Sequence, residues 1–240
     1  MFQPRVYRDQ MNVKGLNRYH INVDESDLLI FANRLDVENT KKYLIRCREE
    51  INKAIQIDQS FYESYKPIES NPKYSKIAKD MISASKHFNV GPMAAVAGAI
   101  SLYLGRNIKK YNDDVIIENG GDLYINVKSK RYINIFTKDI VYKDKLNIVI
   151  RDKSEVSICT SSSKLGHSKS FGNSDAVVIK AKNAVFADAA ATAFGNKVKN
   201  KDDIEAVLFE AKKNRYIQGI VIIIDGVMGV WGDIEFRERN

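Results

Sequence analysis

The chain has 240 residues, 44% hydrophobic and 28% charged, which excludes a disordered tail or a fibre and leaves an ordinary globular protein. A chain this long buries most of its apolar surface unaided, so its stability requires neither a disulfide nor a structural metal. The formal net charge is +8, but the basic residues are spread along the chain. Their densest clusters are short: Lys128, Lys130 and Arg131, then Lys197, Lys199 and Lys201. With no recognisable nucleic-acid motif, a small anionic ligand is the expected partner and nucleic acid is not.

Two cysteines, Cys47 and Cys159, without a CxxC pair point to a reducing compartment. Residues 1–12 contain no apolar h-region. The longest apolar stretches, 93–104 and 219–231, fall short of the roughly 20 residues needed to span a bilayer. A cytoplasmic protein with no membrane partner is expected.

Residues 5–35 read as strands, with Tyr19, Ile21 and Val23 alternating against polar neighbours and a turn at Asp24-Glu25-Ser26. A helix follows to about Gln59, capped at Asn39 or Thr40, with Tyr43, Leu44, Cys47, Ile51, Ala54 and Ile55 on one face. Residues 58–72 read as a loop broken by Pro67 and Pro72. A second amphipathic helix covers 73–88, with Ile77, Met81, Ile82 and Ala84 inward. Gly91-Pro92 opens a third over 93–104. Short strands are predicted at 115–117, 123–127, 132–136, 146–151, 156–158 and 176–180. A small-residue helix runs from about Ala187 to Gly195, and another over 202–214 is capped by Asp202 or Asp203. A hairpin around Asp225-Gly226 joins strands at 220–224 and 227–231. Helices mixed with antiparallel hairpins predict an α+β fold, with one domain over 1–240.

Four segments carry candidate chemistry. In Glu118-Asn119-Gly120-Gly121-Asp122, paired glycines permit positive φ and close approach to a ligand, and Asn119 and Asp122 supply polar atoms. A simple tight turn is the alternative. The run from Cys159 to Ser168 is rich in hydroxyls, including Ser161 and Ser162, and suits an oxyanion. Within it, Cys159 and His167 form a candidate thiolate–imidazolium pair; a buried strand-end Cys159 is the alternative. On an Ala-rich helix, Asp188 and Thr192 stand at i and i+4 and offer hard oxygen ligands to a cation such as Mg²⁺. A capping Asp is the alternative there. Finally, the helix opening at Gly91–Ala99 presents an N-terminus suited to an anion, or else simple small-residue packing. His20 and His87 read as structural.

The order GPMAAVAGA, ENGGDLY, CTSSSKLGHSKSFGNSDA and ADAAATAFGN, with VDESDLLI before them and WGDIEF after, resembles an uncharacterised protein family related to ApbE. The resemblance covers nearly the whole chain. ApbE proteins are Mg²⁺-dependent transferases that move FMN from FAD onto protein threonines. The resemblance implies an ApbE-like fold, a glycine-pair motif at Asn119–Asp122, and Asp188 and Thr192 as cation ligands in an A-D-A-x-x-T motif, with the Ala187 carbonyl a further candidate. Where the transferases follow their His with an Ile-Asp-Pro run and a Gly, this chain has Ser168-Lys169-Ser170-Phe171-Gly172. The function expected is a metal-dependent enzyme acting on a phosphorylated or nucleotide-type ligand, with flavin and Mg²⁺ as candidate cofactors. One alternative is a sulfur-handling protein that carries a persulfide on Cys159. The other is a non-catalytic binding module. The small-residue helices and hairpin edges point to a homodimer.

Overall fold

The computed structural model describes residues 8, 11, 13–135, 137, 139–142, 145–151, 153–162 and 172–238. β1 (Asn17–Val23) and β2 (Ser26–Ala32) form a first hairpin. Then come α1 (Val37–Ile57), the one-turn α2 (Ser60–Glu63), α3 (Lys76–Phe88), a 3-10 turn at Pro92–Ala95 and α4 (Val96–Ile108). β3 (Val115–Asn119) and β4 (Asp122–Val127) make the second hairpin, and β5 (Arg131–Asn134) and β6 (Leu146–Ile150) a third. β7 (Ser154–Ser161) and β8 (Ala176–Ala181) follow, then α5 (Ala184–Lys197), a 3-10 turn at Lys201–Asp203 and α6 (Ile204–Lys212). β9 (Ile217–Ile224), β10 (Val227–Gly232) and β11 (Phe236–Glu238) complete the order.

This is the α+β architecture that the pattern predicts. Eight strands form one antiparallel sheet, β1-β2-β3-β4-β7-β8-β9-β10, and β11-β6-β5 form a smaller one. The large sheet is built from two similar halves, each a hairpin, a helical excursion and a second hairpin. Each excursion re-enters beside the strand it left, so β3 lies next to β2 and β9 next to β8.

Period-2 alternation gives the large sheet two apolar faces. Ile30, Ile117, Tyr124, Cys159, Ile179 and Ile222 face the helices. Phe31, Ile116, Ile125, Ile158, Val178 and Val221 face the other way, where Ile148 and Ile150 of the small sheet cover them. A strand buried on both sides reads as a continuous apolar run, as Ser26–Ala32 does.

Several helix boundaries differ from the sequence prediction. α1 starts earlier because Asp36, not Asn39 or Thr40, is its cap: the Asp36 carboxylate accepts the Asn39 amide at 3.0 Å. The Thr40 hydroxyl instead donates to the Asp36 carbonyl at 2.7 Å. The segment predicted as loop at 58–72 contains α2, set by Asp58 accepting the Ser60 amide at 2.9 Å. The third helix begins as a 3-10 turn and becomes α-helical only at Val96. At the start of that turn Gly91 lies against the chain at Ser64, where an added Cβ would fall 1.8 Å from the carbonyl oxygen. Neither Asp202 nor Asp203 caps α6; the Asn200 side chain caps the preceding 3-10 turn, and Asp203 completes the capping box.

The two cysteines are free and buried. Among the described residues no single helix is long and apolar enough to cross a membrane.

Candidate functional site

Of the predicted site residues that the structure describes, the Asn119–Asp122 turn, Cys159, Ser161 and Asp188 lie toward one end of the large sheet. The β3–β4 turn is a two-residue loop with Gly120 at φ +68° and Gly121 at φ +101°, a conformation that demands glycine. An added Cβ on Gly121 would meet nothing within 4 Å. The tight-turn reading is therefore correct, and the turn also opens onto free space. Asn119 donates its side-chain amide to the Ala97 carbonyl at 3.2 Å, tying the turn to the start of α4. On the opposite face of the sheet, buried Glu118 accepts the Gly121 amide at 2.9 Å and the Arg8 guanidinium at 2.5 Å. Arg8 also binds Asp27 at 2.7 Å. This buried network fixes the turn from beneath; it was not foreseen, because no local pattern links Arg8 to a glycine turn 110 residues away.

α5 crosses this end of the sheet. Its Ala187, Ala189, Ala190, Ala191 and Ala193 are buried, whereas Asp188 and Thr192 keep partial exposure along one line, as their i, i+4 spacing predicts. The capping alternative for Asp188 is answered in an unexpected way. α5 is capped by Asn183, whose side chain accepts the Val185 amide at 2.9 Å. Asp188 serves α4 instead, which has no side-chain cap of its own: the Gly98 amide donates to its carboxylate at 2.9 Å. The helix N-terminus predicted to attract an anion thus attracts the chain's own carboxylate. The contact requires glycine. A Cβ on Gly98 would lie 2.2 Å from the Ala184 carbonyl oxygen and 2.8 Å from the Asp188 Cβ.

Asp122, at the first position of β4, is buried and accepts the Thr160 amide at 3.2 Å. It also hydrogen-bonds Asp188. Burial, then the charge of Asp188, raises the Asp122 pKa well above the usual carboxylate range. Burial pushes Asp188 up to about 7, against the lowering effects of the Gly98 amide, the Asp122 hydrogen bond and the Ala97 amide. Two acids so placed cannot both ionise cheaply, and the pair retains a proton near neutral pH.

Cys159 lies inside β7, fully buried, with its thiol 3.7 Å from the Ala184 carbonyl oxygen. Burial, then the charges of Asp122 and Asp188, pushes the thiol well above its ordinary value. The resting group is a neutral thiol packed under the acid pair, the buried strand-end alternative. His167 lies outside the described residues. Ser161 and Ser162, at the end of β7, are buried; Ser161 packs on α5 at Gly195, where an added Cβ would come 3.0 Å from its hydroxyl oxygen. Gly172, on the return from the β7–β8 connection, presses on the same residue: its added Cβ would fall 1.9 Å from the Gly195 carbonyl oxygen. His20, at 2.5 Å from Asp27, and His87, at 2.9 Å from the Asn214 side chain, hold structural contacts.

The chain is similar over most of its length to archaeal proteins named "UPF0280 protein". That of Methanococcus aeolicus is 36% identical over 200 residues, covering 81% of each chain. That of Archaeoglobus fulgidus is 31% identical, covering 91% of this chain and 93% of the relative. Among solved structures, the flavin transferase ApbE from Vibrio cholerae matches with TM-score 0.54 at 11% identity, covering 90% of this chain and 97% of that one. The ApbE protein of Thermotoga maritima matches with TM-score 0.56 at 12% identity, covering 92% and 96%. These likenesses are of fold. The family model described as "AbpE bacteria" matches residues 8–228, and the chain belongs to that family.

Proposed function

We propose that this chain is a metal-dependent enzyme acting on a phosphate-bearing, nucleotide-type ligand at the Asp122–Asp188 end of the sheet. The observation that carries the reading is the acid pair itself. A buried carboxyl group and a half-buried one in hydrogen-bond contact have two complements, a shared proton or a cation. The donor set fits a hard cation such as Mg²⁺: Asp188 and Asp122 carboxylates with the Thr192 hydroxyl one turn along the same exposed line of α5. Among the described residues no group of three or more His, Cys, Asp and Glu side chains is placed to hold a metal ion, so the ligand's own oxygens and water would complete the shell. When bound, the cation would neutralise phosphate charge and polarise a phosphoryl oxygen.

The chain's own groups do the remaining work. The Gly98 amide orients Asp188. Gly120 and Gly121 keep the approach free of side chains. Asn119 secures that turn against α4, and the Ser161 and Ser162 hydroxyls stand at the end of β7 as candidate ligand contacts. The flavin transferases of similar fold make FAD the first ligand to try. The sulfur-handling reading would need a thiolate at Cys159, and the burial of that thiol does not favour one.

The test is a difference titration with FAD and with FMN, followed by absorbance and fluorescence, with Mg²⁺ or with a chelator. Mg²⁺-dependent binding that weakens at least about tenfold in a folded Asp188→Asn variant supports the proposal. Binding that is equal with chelator and in the variant contradicts it. Binding without any turnover would favour the ligand-binding module.

A further inference from the structure

The opposite end of the large sheet holds a half-open cleft of about 250 Å³, lined in part by Arg151, Lys153, Lys180, Lys182, Gln218 and Asp233. These cations come from the end of β6, the β6–β7 turn, β8 and the residue after β8, so antiparallel chain reversals bring together charges that look dispersed in the sequence. The two acids on the lining are already engaged. Asp233 holds Lys180 at 2.9 Å, and Glu155 holds Lys109 at 2.5 Å with Arg106 at 4.0 Å. Arg151 is paired with Glu235 at 3.3 Å. Among the described residues neither Lys153 nor Lys182 has an ion-pair partner. Among the described residues the lining therefore keeps two ammonium groups outside any ion pair, both on solvent-exposed side chains. Lys153 is held there at φ +53°, a left-handed conformation that costs a non-glycine residue energy. The Gln218 side-chain oxygen in the same wall is buried with no hydrogen-bond partner.

We propose that this cavity is a second binding site, taking a small doubly charged oxyanion of the phosphate class. Two surplus cations match a dianion, and ammonium groups act as point-charge phosphate binders. The cleft has room for a small oxyanion, and its charged lining excludes an apolar ligand. An acidic O–H on a monoprotonated phosphate would supply a donor for the orphan Gln218 oxygen.

The experiment is calorimetric titration at low ionic strength with inorganic phosphate, and with acetate as a monoanion of similar size. The full chain is compared with a Lys153→Gly, Lys182→Gln double variant; glycine suits the left-handed position, so the fold is kept. Phosphate binding that exceeds acetate binding, falls by about tenfold or more in the double variant and survives in Asp188→Asn supports the site. Absence of binding at millimolar phosphate, equal binding of acetate, or unchanged binding in the double variant overturns it.

Discussion

The Gly98 amide donates to the Asp188 carboxylate at 2.9 Å, so an acid on α5 caps a helix that carries no cap of its own. The same carboxyl group is hydrogen-bonded to buried Asp122. Asp188 thus joins the two helices to β4 and sets the electrostatics of the site.

The cap can be isolated by comparing two substitutions. Asn at 188 keeps an oxygen for the Gly98 amide, whereas Ala removes it. Asp188→Ala is expected to be less stable than Asp188→Asn by about 1 kcal/mol, the usual worth of a helix cap. Urea denaturation of both proteins measures the difference. Equal stabilities would mean that the amide is satisfied some other way.

Stability should fall as pH rises from the ordinary carboxylate range to about 7. The Asp188 carboxyl titrates at about 7 in the folded chain, against an ordinary value of 3.8. With a raised folded value, the group's stabilising contribution is fully present below its ordinary value and is lost as pH rises through 7. The cation-free protein is expected to melt lower at about pH 8 than at about pH 5. Asp188→Asn should flatten this slope, and Mg²⁺ should raise the alkaline melting temperature of the wild type alone. Thermal denaturation by circular dichroism reads all three.

Gly98→Ala should be costly for a reason unrelated to helix propensity. Its Cβ would press on the Ala184 carbonyl at 2.2 Å, forcing α4 and α5 apart. Overpacking of this kind costs about 1–3 kcal/mol. A melting temperature equal to that of wild type would refute the tight crossing.

The thiol of Cys159 should be inert in the folded protein. It is fully buried, and its pKa is raised by burial and by the adjacent acids. An aromatic disulfide reagent at mildly alkaline pH should label it only after denaturation. Fast labelling of the native protein at Cys159, located by peptide mapping, would revive the sulfur-handling reading.

Much of the fold was legible because it rests on local signals. The alternation of β1, the Asp225-Gly226 turn and the Ala-rich line of α5 are each written in consecutive residues. Asn119, Gly120, Gly121 and Asp122 were picked out by the glycine pair, Ser161 by its hydroxyl-rich run, and Asp188 and Thr192 by their i, i+4 spacing, with the family resemblance supporting the glycine-pair and Asp–Thr motifs. What stayed hidden was pairwise and distant. Asp122 read as a polar flank of a turn, yet β4 places it beside an acid from α5. The capping of α4 by Asp188 spans 90 residues, and no periodicity encodes it. Cys159 read as the head of a loop because Ser-rich sequence follows it, but the ladder continues through Ser161. The dispersed lysines conceal their convergence on the cleft at the other end of the sheet, since strand reversals, not sequence proximity, bring them together.

The most direct test of the acid-pair proposal is anomalous diffraction from crystals grown with Mn²⁺ in place of Mg²⁺, with FAD present. A manganese peak is expected at coordination distance, roughly 2.1–2.3 Å, from an Asp188 carboxylate oxygen and on the Asp122 side of α5. A peak elsewhere, or none at saturating Mn²⁺, would mean that the pair is satisfied by its proton alone and is no cation site.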